Sequence, residues 1–171
     1  MNTSLKFCTI IIVMILFAMQ SLIYPADRKY TGVKICGACH KGDKNKNVYE
    51  KWAASKHAGA YTTLKSEQSK KIAGKLGIVD PLTSDQCLSC HVTNGNKGEG
   101  IKAEEGVTCE ACHGAGSAYK SKKTMQDRKL ALENGLILGK DDESVCRKCH
   151  NKKSPTFKKF DYVVEMKKIA H

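Results

Sequence analysis

The run Gly106-Val-Thr-Cys109-Glu-Ala-Cys112-His113-Gly114 sets two cysteines three positions apart and places a histidine directly after the second. Moving outward along the chain, the arrangement recurs as Cys36-Gly-Ala-Cys39-His40, Cys87-Leu-Ser-Cys90-His91 and Cys146-Arg-Lys-Cys149-His150. C-x-x-C-H is the attachment signature of c-type haem. The spacing has a mechanical reason. Two thiols must reach two vinyl groups on one edge of a porphyrin, and the next imidazole must swing under the iron as proximal ligand. A short turn of helix after the first cysteine does both. Four copies predict four covalently bound haem c groups, with His40, His91, His113 and His150 as the proximal iron ligands.

Nine cysteines are present, and the four motifs use all but Cys8. Zinc sites also use C-x-x-C pairs, but they do not require a histidine directly after every second cysteine. Disulfides suit an exported protein but give the four histidines no role. A thioredoxin-like centre needs one C-x-x-C, not four.

Residues 1–26 read as a secretory signal. Lys6 supplies a positive start, and Phe7 to Met19 is an almost unbroken apolar run that is short for a membrane span. Cleavage is expected near Tyr24-Pro25-Ala26, and Cys8 leaves with the segment; an uncleaved anchor is the alternative. The expected product, residues 27–171, is one tetrahaem domain in the periplasm or an equivalent extracytoplasmic compartment, with no stable membrane insertion.

The chain has 171 residues with 29 Lys and Arg against 17 Asp and Glu, a net charge of +12. Loss of residues 1–26 removes Lys6 and no acid, leaving +11. An exported protein rarely meets nucleic acid, so this charge points to acidic partners. Four haems bring about eight propionates, which would leave a net charge of about +3, so part of the lysine excess offsets them. Aromatics are 6% of the chain, too few for an ordinary core, and haem would supply the missing apolar surface.

The fold class expected is mainly α with extensive loops, a small multihaem cytochrome c wrapped around four packed haems. Residues 47–64 suit one amphipathic helix, with Tyr49, Ala53, His57, Ala60, Tyr61 and Leu64 on one face. Ser66 to Leu76 is a second helix, stopped at Gly77. Residues 92–107, with four glycines, read as a loop or small hairpin. Residues 125–134 read as a helix before Gly135, and Asp141 as the cap of the helix carrying the fourth motif. After Ser154-Pro155, Phe160, Val163, Val164, Lys167 and His171 line one side of a last helix.

Six histidines are present. The motifs use four, and His57 and His171 remain as further iron ligands. A core histidine at 57 and a frayed terminal residue at 171 are the alternatives. Two irons are therefore left to be five-coordinate, to take a ligand of another kind, or to borrow one from a second chain, which makes an oligomer possible.

Most of residues 30–171 resembles the tetrahaem cytochrome c-554 family of nitrifying bacteria. The likeness rests on Cys36–His40 followed by Trp52-Ala-Ala-Ser-Lys-His57-Ala58, on Gly106–Gly114, and on the closing Phe160–His171. It implies closely packed haems that pass electrons between a hydroxylamine-oxidising multihaem enzyme and other carriers. It also implies that His57 is the distal ligand of the third haem and His171 that of the fourth, with the second iron open. The family's histidine for the first iron follows the third motif. Here that stretch, Gly114–Lys123, has none. Lys122, Lys123, Tyr119, Met125 or water are the candidates in its place.

Three functions compete. An electron carrier needs only packed haems and a partner, an acidic or multihaem redox protein. A small reductase or oxidase for nitric oxide, hydroxylamine or nitrite needs an open iron lined by polar groups, and would turn over without a partner. A gas-binding module would bind without turnover. No nucleophile–base constellation, P-loop or dinucleotide fingerprint is present, which favours the carrier.

Overall fold

The computed structural model describes residues 27–171; the expected signal segment, 1–26, lies outside the described residues. Among the described residues there are ten short α-helices joined by loops and single 3₁₀ turns, and no β-strand. The molecule is mainly α with extensive loops. No described helix is long and apolar enough to cross a membrane.

Each C-x-x-C-H segment sits on a short helix. These are α1 (Val33–His40), α5 (Asp85–His91), α6 (Cys109–His113) and α9 (Glu143–Arg147). The fourth motif runs past the end of its helix. Between them lie α2 (Val48–Ala53), α3 (Ala60–Thr63), α4 (Glu67–Lys75), α7 (Lys122–Gln126) and α8 (Arg128–Glu133), and α10 (Tyr162–Ile169) follows. Helix α4 matches its expected span. Ser66 accepts a hydrogen bond from the Ser69 N–H at its start, and Gly77 takes φ +69° beyond its end.

The helix expected over 47–64 is divided. It stops after Ala53 and resumes at Ala60, leaving His57 on the connecting turn. A distant segment joins the turn there: the His57 carbonyl accepts from the Ala60 N–H at 3.2 Å and from the Val107 N–H at 2.9 Å. Gly106 closes onto the same turn. The helix expected over 125–134 is divided at Asp127, whose carboxylate caps α8 by accepting from the Leu130 N–H at 3.0 Å. The expected cap of the fourth motif is displaced by one residue, with Asp142 accepting from the Ser144 N–H at 2.9 Å. Residues 92–107 contain two 3₁₀ turns and no hairpin.

Thr93 and Thr108 lock the second motif to the third. The Thr108 N–H donates to the Thr93 Oγ1 at 2.8 Å, and the Thr93 N–H donates to the Gly106 carbonyl. The polypeptide's own core is small. Leu64, Leu88 and Val92 form it, with Tyr61, Leu82 and Ile101 packed against them. Val163 and Val164 of α10 are 64% and 48% exposed and Ile35 of α1 is 47% exposed.

Candidate haem-binding sites

The four C-x-x-C-H segments touch one another. Helix α1 packs on α6, with Cys36 and Cys109 near each other. Helix α6 packs on α9, with Cys146 beside Cys112. Cys149 lies near Cys90, and its thiol donates to the Ser89 carbonyl at 3.8 Å. The first segment thus adjoins the third, the third adjoins the fourth, and the second adjoins both the third and the fourth. Cys39 is exposed, and Cys36, Cys87, Cys90, Cys109, Cys112, Cys146 and Cys149 are half-buried; none is in a disulfide.

Four histidines stand in two facing pairs. The rings of His57 and His150 have centroids 6.1 Å apart at 79°, and those of His113 and His171 lie 6.0 Å apart at 73°. Two imidazoles on opposite faces of one metal ion, each bonded at about 2 Å, have ring centres roughly 6 Å apart. Both separations are of the size that would leave room for a metal ion between two imidazoles. The ring neighbours differ from the ligand pairs the resemblance implies. His57 faces the fourth motif's histidine and not His113, and His171 faces the third motif's and not His150.

Local packing accounts for the difference. The backbone of His57 is tied to Val107, at the entrance to the third motif, while its ring projects toward His150. Phe160 stacks on His150 at 4.6 Å, and the Arg147 guanidinium lies 4.8 Å from the Phe160 ring centre. Segment 137–140 brings His171 to His113. The Ile137 carbonyl accepts from the His113 Nδ1 at 2.8 Å, and the carbonyls of Gly139 and Lys140 accept from the Tyr162 hydroxyl of α10.

Those backbone bonds also set the chemistry of the rings. A carbonyl only accepts, so a neutral ring bonded to one carries its proton on Nδ1 and presents Nε2 as a bare donor atom. This holds for His113, for His91 on the Ala60 carbonyl at 2.7 Å, and for His171 on the Ile169 carbonyl at 2.9 Å. Burial is the largest cause pulling His57, His113 and His150 below the ordinary imidazole pKa; the neighbouring His150 adds to it at His57. A neutral imidazole is the form that ligates a metal.

The remaining two histidines, His40 and His91, have no histidine left to face them among the described residues. Of the candidates for the first iron, Tyr119 is committed elsewhere. Its buried hydroxyl donates to the carbonyls of His113 and Gly114 at 3.1 and 2.7 Å. Lys122 and Lys123 are exposed and Met125 is half-buried. Sequence reasoning missed Glu110, which is buried inside the third C-x-x-C pair. The signal available was an acidic residue between two attachment cysteines of a basic chain.

Comparison with known proteins gives two matches. A family model described as cytochrome c554 and c-prime matches residues 35–114, a span that holds the first three motifs and stops short of the fourth. Cytochrome c-554 of Nitrosomonas europaea is 33% identical over 104 residues, covering 56% of this chain and 42% of that protein. The chain thus spans less than half the length of the relative it matches. No solved structure matches it significantly. A c-type cytochrome binds haem covalently, and the C-x-x-C-H helices are the elements that would hold it. Residues 35–114, a little under half of the chain, are thus similar to the cytochrome c554 and c-prime family.

Proposed function

We propose that the chain is an electron-transfer cytochrome carrying four haem c groups, one on each C-x-x-C-H segment, in an extracytoplasmic compartment after loss of residues 1–26. The observation that carries this reading is the clustering of the four C-x-x-C-H segments, in which every one adjoins another and none is isolated. Haem supplies one-electron iron chemistry when bound. The chain supplies eight thiols for covalent attachment, four proximal imidazoles, His57 and His171 as further ligands, and backbone carbonyls that hold ring orientation.

The partner we infer is an acidic or multihaem redox protein, with an oxidoreductase of nitrogen metabolism such as a hydroxylamine-oxidising enzyme as the specific expectation. Lys41, Lys44, Lys46, Lys120, Lys122 and Lys123 are all exposed and would steer the encounter. Intact mass of the holoprotein should give four haems and no free thiol after residue 26. Reduction by such a partner should slow as salt rises, because exposed charges are screened beyond about 10 Å at 0.1 M ionic strength. Fewer than four haems would reject the reading, and a rate indifferent to salt would reject the lysine steering.

One observation favours a second reading, a ligand-binding or small reductase role for nitric oxide or hydroxylamine. The two histidine pairs leave His40 and His91 without a facing imidazole among the described residues. Turnover of either substrate without a protein partner would favour that role.

A further inference from the structure

Among the described residues, Glu110 is the one buried charged side chain, 3% exposed. All its hydrogen-bond partners are donors. The Thr31 N–H lies 2.9 and 3.0 Å from its two oxygens, the Thr31 hydroxyl 3.2 Å, the Gly32 N–H 2.9 Å and the Gly116 N–H 2.7 Å. The group is therefore held as a carboxylate with both oxygens accepting. Thr31 and Gly32 lead into α1, Glu110 lies within α6, and Gly116 lies on the turn after α6. The carboxylate thus sits in the seam between the first and third C-x-x-C-H segments, where α1 packs on α6. The seam is tight: a Cβ at Gly116 would lie 2.9 Å from a Glu110 oxygen and 3.2 Å from the Thr31 hydroxyl.

No lysine, arginine or histidine is among these partners. Neutral N–H and O–H donors make the buried charge tolerable without cancelling it. Glu105 adds charge of the same sign nearby, accepting from the Val33 N–H at 3.2 Å. In the poorly screened interior such a charge acts over longer distances than in water. Its influence reaches Tyr119, whose phenol is pushed up first by burial and next by Glu110. Ferric haem carries one positive charge more than ferrous haem, so a fixed anion favours the oxidised state. Charge, hydrogen bonding and burial around the group are the protein's means of setting a potential.

We propose that Glu110 is a fixed buried charge that holds the reduction potentials of the first and third haems below the values those two sites would have without it. This rests on the four-haem reading above.

The test is a spectroelectrochemical titration of the four-haem protein and its variants, each checked first by intact mass. In Glu110→Gln two of the four potentials should rise, each by at least a tenfold change in the ferric-to-ferrous ratio, which is 59 mV for a one-electron couple, and the other two should stay in place. Glu110→Asp keeps the charge and should keep those two low. Thr31→Val keeps the carboxylate and removes one donor, so the same two should fall by a smaller step; it decides the matter if Glu110→Gln does not fold. A structural anchor alone would lower thermal stability and leave all four potentials unmoved, which overturns the proposal. Fewer than four haems in the unmodified protein would defeat the four-haem reading instead.

Discussion

At Gly106 the backbone takes φ +65°, and a methyl group there would lie 2.6 Å from the Ala58 carbonyl oxygen and 2.7 Å from that of His57. Both the left-handed conformation and the contact exclude a side chain. Gly106→Ala should cost roughly 2–4 kcal/mol from strain and overpacking together. Because the displaced carbonyl is that of His57, the low-spin signal of the iron between His57 and His150 should weaken with it. An unchanged unfolding temperature and an unchanged spectrum would contradict this. The sequence marks Gly106 as one glycine of a loop, and nothing local says that it presses on residue 57. Glu110 was hidden for a related reason. A carboxylate in a motif looks like an exposed residue until Thr31, Gly32 and Gly116, from both sides of it in the chain, are seen to converge on it.

Helix ends were legible where the capping group is close in sequence. Ser66 before α4 and Gly77 after it act within a few residues, and the expected span matches the observed one. The division of 47–64 was not legible, and the turn within it is joined by Val107, which donates to a carbonyl 50 positions earlier. The histidine pairing has the same long-range character. His57 meets His150, and His171 meets His113, through contacts made by segments 106–107 and 137–140. Helix α10 supplies the clearest test at this scale. The Asp161 carboxylate caps it by accepting from the Val164 N–H at 3.2 Å, and His171 follows two residues after its end. Asp161→Ala should cost about 1 kcal/mol of helix stability. The loss should fall on the third haem, as a partial change of the His113–His171 iron from low to high spin at elevated temperature. Magnetic circular dichroism of the variant across a temperature series would show it, and four unaltered haem signals would count against the assignment of His171.

For the molecule as a whole, the two histidine pairs limit the spectrum. Two bis-histidine low-spin irons are expected, on the third and fourth motifs. The irons of His40 and His91 should have other ligation, with at least one high-spin centre that binds cyanide or nitric oxide. Four bis-histidine haems in a verified monomer would contradict the pairing. The mainly α class was readable because each C-x-x-C-H motif implies a short helical turn from its local spacing. Which motifs adjoin one another was not, since that is a property of packing. The small core formed by Leu64, Leu88 and Val92 has a consequence for descent. Where a prosthetic group replaces side chains as the buried mass, selection acts on the points that grip it and on glycines pressed between segments, and the stretches between are free to drift. Lineages of such a protein should lengthen, shorten and exchange most of their surface while keeping one architecture, with inheritance stored in the spacing of a few anchors.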